Sequence, residues 1–274
     1  MTQHLTQHPS EWVERLARFG YAAKGVVYGI VGLLAAQAAF GRGGKTTDTQ
    51  GALQAIVTQP FGKVLLSLVA IGLIGYVIWR FVQAIKDPEN KGTDAKGLAQ
   101  RLGYAVNGLI YASLAFSAVA IVLGSGRGGN SNSTEDWTAR LLSQPFGQWL
   151  VGTIGAFVIG LGFYQFYKAY TAKFRKELNL TQLSNTEQTW VTGIARFGLA
   201  ARGIVFCVSG FFLIQAARQS DASEARGLGE ALQVLAQQPY GPWILGIVAL
   251  GLVAYGIYMV LQARYRRLVL SNGF

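Results

Sequence analysis

The sequence predicts an all-α integral membrane protein: six transmembrane helices, arranged as three parallel two-helix repeats around a pseudo-threefold axis. Three observations carry that prediction. Of 274 residues, 51% are hydrophobic and only 14% charged, against ~25% charged in soluble domains. The 35 glycines come without proline enrichment or a three-residue period, which suits close helix packing in lipid better than collagen or a linker. Finally, one block of sequence is written three times along a single membrane domain, 1–274.

Six segments supply the ~20 apolar residues that cross hydrocarbon. They are 19–40, 64–85, 103–123, 149–169, 197–217 and 243–263. The third and fourth are the cleanest, with no charge between Leu102 and Gly126 or between Leu141 and Tyr167, and Lys24, Arg80 and Arg202 lie near span ends, where a long stem snorkels to headgroups. Ahead of the first span, residues 1–15 lack the basic start and apolar run of a cleavable signal. Pro9 and Ser10 open a helix there, with Glu11 and Glu14 in its first turn and Trp12, Val13 and Leu16 on an interfacial edge. The first span is expected to act as an uncleaved anchor.

Six spans put both termini on one side. That side carries 17 of the 24 Lys and Arg, whereas the 13 acids divide 7 to 6. The positive-inside rule sets the termini in the cytoplasm. Most of the +11 net charge thus encodes orientation and points away from a nucleic-acid partner. The single cysteine, Cys207, excludes an internal disulfide and a CxxC site.

The repeats occupy 10–86, 95–170 and 188–265. Each opens on an arginine block, residues 17–25, 100–108 and 195–203, in which an Arg and two Gly recur at fixed positions. Each carries a later partner, Gln59-Pro-Phe-Gly62, Gln144-Pro-Phe-Gly147 or Gln238-Pro-Tyr-Gly241, in the same phase. Just before each proline, an apolar stripe (Leu53, Ile56, Val57; Thr138, Leu141, Leu142; Leu232, Leu235, Ala236) predicts a short interfacial helix at the hairpin tip. Parallel repeats of this kind stack around an axis along the membrane normal.

These paired blocks resemble the bacterial membrane family DUF1206, a domain of unknown function, over residues 10–265. The resemblance implies a six-helix protein of the bacterial plasma (inner) membrane and brings no assigned activity. Mitochondrial carriers share the layout of three two-helix repeats, but their Pro-x-(Asp/Glu)-x-x-(Lys/Arg) signature is absent.

On a helical wheel, Arg18, Tyr21, Lys24, Gly25, Tyr28, Gly29 and Gly32 share one half of the first span. Gly25/Gly29, with Gly108/Ala112 and Gly203/Cys207 in the other repeats, reads as a small-residue packing seam. Lys24, Asn107 and Arg202 occupy equivalent positions one turn before Tyr28, Tyr111 and Phe206. If that face points inward, two cations and an amide converge on the axis as a candidate site for a small anion. Snorkelling of both cations to the inner headgroups is the plainer alternative. Arg18, Arg101 and Arg196, further toward the cytoplasm, are candidate contacts to anionic lipid or to helix ends.

No catalytic constellation assembles. Mid-span Asp and Glu are absent, which disfavours ion-coupled transport, and Ser67, Ser113, Ser117, Thr153, Gln165, Ser209 and Gln215 have no neighbouring base or acid. The loose phosphate-loop match from Ala39 to Thr46 follows an apolar helix instead of a strand, and Gly126–Gly129 echoes it as a hairpin exit. His4 and His8 lack a third metal ligand. Trp12, Trp79, Trp190, Trp243, Tyr164 and Tyr258 fall near span ends, the places of an aromatic belt. The sequence thus predicts no cofactor, no metal and no enzyme. It leaves two functions: a module whose basic inner face binds the lipid bilayer or a partner, and a facilitator for a small anionic solute. The first expects Lys24→Gln with Arg202→Gln to leave lipid binding little changed; the second expects a hollow centre lined by Lys24, Asn107 and Arg202.

Overall fold

A computed structural model describes residues 8–41, 46–125 and 133–266. Among these residues the chain is helical, with one isolated bridge pairing Leu178 and Arg266. The helices are α1 (His8–Ala39), α2 (Thr49–Val57), α3 (Gly62–Lys86), α4 (Ala95–Val122), α5 (Ser133–Leu142), α6 (Gly147–Thr171), α7 (Asn185–Gln219), α8 (Leu228–Ala236) and α9 (Gly241–Tyr265), with short 3-10 turns between some of them. Six of them, α1, α3, α4, α6, α7 and α9, are long and apolar enough to cross a membrane, and each covers most of one of the expected segments. They start earlier than hydropathy alone suggests, and polar caps hold the extended ends of α4 and α7. At α7 the Ser184 N–H donates to Glu187 Oε2 at 2.8 Å and the Glu187 N–H to Ser184 Oγ at 3.3 Å, a reciprocal cap that satisfies two orphan donors. At α4 the Gly97 N–H donates to Asp94 Oδ1 at 3.1 Å.

The Gln-Pro-(Phe/Tyr)-Gly block is the hinge between each tip helix and the long helix that follows. Its aromatic residue takes the left-handed conformation, with φ of 59° at Phe61, 61° at Phe146 and 62° at Tyr240. That costs an L-residue about 1–2 kcal/mol, and it reverses the chain in one step. The next residue must be glycine, since a Cβ at Gly62, Gly147 or Gly241 would strike the carbonyl of Ile56, Leu141 or Ala236 in the tip helix. The tip helices themselves depart from the interfacial expectation. Leu53, Ile56 and Leu232 are buried in the protein core, because the sharp reversal folds the stripes of α2 and α8 onto the long helices, while Leu141 and Leu142 of α5 stay half-buried. The belt reading needs a similar correction: Trp79 and Tyr258 are each 1% exposed and belong to the core and Tyr164 lines the cavities, while Trp12, Trp190 and Trp243 are exposed.

The six long helices pack in one continuous order: α4 on α3, α3 on α1, α1 on α9, α9 on α7 and α7 on α6. The second helix of each repeat therefore lies against the first helix of the next, and repeats one and three also close on themselves. Repeat two does not. Its helices α4 and α6 share no extended contact, yet both line the same central cavity. Equivalent positions give the reason. In repeat one Gly72 meets Ala23 so closely that an added Cβ would lie 2.5 Å from the Ala23 Cβ, and Gly251 meets Ala201 in the same way in repeat three. At these two positions repeat two has Phe157 and Val106, whose bulk prevents the same approach. Likewise Gly20 lies against Tyr76 and Gly198 against Tyr255, whereas Gly103 has nothing near the place of its missing side chain.

Candidate functional site

The equivalent positions Lys24, Asn107 and Arg202 do come together, held by tyrosines that repeats one and three contribute. Lys24 is only 2% exposed. Its Nζ donates to Tyr76 Oη at 2.9 Å and stands 4.4 Å from the Tyr111 ring centroid and 4.7 Å from that of Tyr76. Tyr76 Oη in turn donates to Asn107 Oδ1 at 3.0 Å. Arg202 Nη1 donates to Tyr255 Oη at 2.8 Å, and its guanidinium lies 4.6 Å from the Phe206 ring and 5.6 Å from that of Tyr28. Tyr28 stacks edge-on against Tyr255 and sits 3.4 Å, hydroxyl to hydroxyl, from Tyr111. All six candidates named from sequence thus share one cluster, in which cation–π attraction offsets part of the cost of burying charge. Snorkelling does not describe Lys24, whose ammonium points inward.

A third cation joins them. Arg80, which the sequence suggested as a snorkelling side chain, reaches Tyr76 Oη with Nε at 2.8 Å and Nη2 at 2.6 Å, and donates through Nη1 to Gln83 at 2.7 Å. Among the described residues, no ion pair involves Lys24, Arg80 or Arg202. The acceptors within reach are tyrosine hydroxyls and side-chain amides, fewer than the donors they serve. The Tyr76 hydroxyl is shared by two cations, and Arg202 Nε is buried with no hydrogen-bond partner among the described residues.

Carboxylates lie one layer further toward the chain termini. Arg266 pairs with Glu89 at 2.8 Å and Glu177 at 3.2 Å, and Lys168 with Glu177 at 3.5 Å. Burial alone pushes Glu89 up, but Arg266 beside it, with a hydrogen bond from Tyr104, holds it down to about 2. Glu177 is likewise lowered against its burial by Lys168 and Arg266. These acids are engaged by cations of their own layer.

Arg18, Arg101 and Arg196 take the helix-end role. Arg18 Nη1 donates to the carbonyls of Ala263 at 2.9 Å and Arg264 at 2.6 Å. Arg101 reaches those of Ala84 at 2.8 Å and Ile85 at 2.9 Å, and Arg196 that of Tyr170 at 3.2 Å. Each arginine caps the last turn of the preceding repeat's second long helix, where unpaired carbonyls and the dipole favour a cation. The seam expected of Gly25 and its counterpart Gly203 is present: Gly25 packs against Gly256, and Gly203 against Gly162.

Two adjoining cavities surround the cluster. One, of about 800 Å³, runs between α4 and α6 toward the tips, with Asn107, Arg202 and Phe206 at its back. The other, of about 460 Å³, is lined by Lys24, Arg80, Lys91, Lys96, Lys168, Arg202 and Arg266 with Glu177 as its one acid. Both volumes fall in the ~300–1,000 Å³ range of small-molecule sites. The tips converge at the far end, with Gly227 beside Thr134 and Gly229 beside Asp48. Residues 42–45, 126–132 and His4 lie outside the described residues, as does the His8 side chain, so the expectations for the Ala39–Thr46 and Gly126–Gly129 loops and for a histidine pair stand apart from this geometry.

Sequence reasoning missed Arg80, Tyr76 and Tyr255. The two tyrosines stand at the same interval after Pro60 and Pro239, and the corresponding residue after Pro145 is Leu161, so the repeat itself carried the signal.

No solved structure matches the chain. It is 41% identical over 264 residues to the uncharacterized protein YxxB of Bacillus subtilis (strain 168), an alignment covering 96% of this chain and 95% of that one. A family model described as Domain of Unknown Function (DUF1206) matches three times, at residues 19–87, 102–172 and 197–266, starting each time just after Arg18, Arg101 or Arg196. With all three matches in phase with the arginine caps and the hinge motifs, the chain belongs to the DUF1206 family.

Proposed function

We propose that the chain is a multi-pass protein of a bacterial plasma membrane, without enzymatic activity, that holds the headgroup of an anionic lipid in its basic chamber. One observation carries this reading: Lys24, Arg80 and Arg202 gather beside the cavities with no carboxylate among the described residues paired to them and with more donors than acceptors. An anion supplies the missing acceptors, and a site built for one gains discrimination from that deficit. Membrane residence is supported by the six apolar helices and by large apolar side chains exposed along them, such as Leu33, Leu68, Phe116, Phe163, Phe211 and Ile247, far more than a soluble monomer leaves in water. The recurring arginine caps support a pseudo-threefold arrangement of the hairpins, and the excess of Lys and Arg at the end bearing both termini supports a cytoplasmic placement of that end. The bacterial assignment follows the Bacillus relative.

The experiment compares lipid retained by the purified full-length chain in nanodiscs of phosphatidylcholine and phosphatidylglycerol, by native mass spectrometry. The parent is expected to retain phosphatidylglycerol preferentially, and Arg202→Gln to lose about tenfold of that preference, the worth of roughly 1.4 kcal/mol. Equal retention by both proteins overturns the reading. The adjoining basic cavity favours one further reading, a facilitator for a small anionic solute; it requires anion flux in proteoliposomes that Arg202→Gln abolishes.

A further inference from the structure

Resting on the chamber reading above, we infer that the unclosed seam of repeat two is a lateral portal, through which the acyl chain of an anionic phospholipid enters between α4 and α6. The seam differs from its two counterparts at four facing positions, and each difference removes something that holds a hairpin shut. Phe157 replaces a seam glycine and Val106 a seam alanine. Leu161 stands where Tyr76 and Tyr255 accept a hydrogen bond, and Asn107 where Lys24 and Arg202 donate one. Repeat two therefore has neither the close backbone approach nor the cation–tyrosine clamp of its neighbours.

The resulting opening has the polarity of a phospholipid. Its rim is apolar and outward-facing: Leu102 is 65% and Phe157 59% exposed, and with Val106, Ile110 and Leu161 they line the larger cavity. Behind the rim stand Asn107, Gln165, Lys168 and Arg202 of the same cavity, while its one acid, Asp48, lies at the tip end and caps α2 by accepting from the Gly51 N–H. Lys168 lies near the basic end of α6, and the cavity extends from it to the tips, where Thr134 and Leu228 complete the lining. A chain laid along the seam covers the apolar rim while its phosphate meets Arg202, whose Nε is buried without a partner among the described residues, beside Lys168, which Glu177 only partly neutralises at 3.5 Å. A zwitterionic lipid brings no net charge to this site, and a small soluble anion leaves the rim uncovered. Charge complementarity and the apolar rim together select an anionic lipid as the occupant.

The test uses the full chain carrying Cys207→Ser, Val106→Cys and Phe157→Cys in nanodiscs of phosphatidylcholine and phosphatidylglycerol. A bifunctional methanethiosulfonate reagent staples the seam and dithiothreitol releases it, so each sample is its own folding control. Exchange of bound phosphatidylglycerol for an isotopically labelled copy, read by native mass spectrometry, is expected to slow at least about tenfold on stapling and to recover on release, a change in off-rate of the kind that dominates affinity differences. Unchanged exchange across the staple overturns the portal while leaving the chamber intact. An unstapled protein that retains no phosphatidylglycerol overturns the chamber, and the portal with it. Staples that join two chains instead of α4 to α6 identify a second copy as the occupant and overturn the lipid portal.

Discussion

At the scale of single residues, the cluster depends on hydroxyls that connect charges. Tyr76 Oη accepts from Lys24 and Arg80 and donates to Asn107, so one oxygen ties α1, α3 and α4 together. Tyr76→Phe keeps the ring, its edge-on contacts with Tyr21 and Tyr111 and its cation–π contacts, but leaves Lys24 and Asn107 without that partner. Leaving buried polar groups unsatisfied costs about 1–3 kcal/mol each. Thermal unfolding in detergent micelles is therefore expected to show a marked loss of stability for Tyr76→Phe and a smaller one for Tyr255→Phe, whose hydroxyl accepts from Arg202 alone. Equal losses would contradict the bridging role. Lys24, Asn107 and Arg202 were legible in the sequence because a thrice-written helix exposes its own variations. Tyr76 and Tyr255 sit on the second long helix of each repeat, and only tertiary packing brings that helix across from the first.

At the scale of elements, the same hinge and cap recur while the seams diverge. Helices in lipid gain little from the hydrophobic effect and associate through close packing and interhelical hydrogen bonds, so one bulky residue decides whether a seam closes. Gly72→Ala places a methyl 2.5 Å from the Ala23 Cβ and 3.1 Å from the Phe19 carbonyl; overpacking of this kind costs about 1–3 kcal/mol. Gly160→Ala on α6 meets nothing within 4 Å and removes a flexible residue from a helix, a gain of roughly 0.5–1 kcal/mol. Unfolding midpoints in micelles are expected to fall for the first and to hold or rise for the second. The helices, the tips and their proline stops were all readable from periodicity and spacing. The inward turn of Leu53, Ile56 and Leu232 was not, because an apolar stripe looks alike whether it faces lipid headgroups or other helices.

At the scale of the whole molecule, the order of packing turns three similar hairpins into an arc with one opening. The proposed orientation makes a direct prediction: in a Cys207→Ser background, Ser131→Cys is expected to react with a membrane-impermeant maleimide applied outside intact cells. Labelling only after the inner face is exposed would reverse the topology. Burial follows the arc, since α1 and α9 at its middle are the most enclosed of the long helices and α4 and α6 at its ends the least.

The sequence by itself determined six apolar helices, three repeats in phase, the arginine and proline blocks that end and turn them, and the equivalence of Lys24, Asn107 and Arg202 within the repeats. Each of these follows from local spacing, which a single chain records directly. The tertiary structure alone decided that Arg80 turns inward to the tyrosines, that Arg18, Arg101 and Arg196 cap neighbouring helices, and that repeat two stays open. Those outcomes depend on which residues face one another across a seam, and Phe157 acquires its meaning only from standing opposite Val106 where the other repeats place glycine opposite alanine.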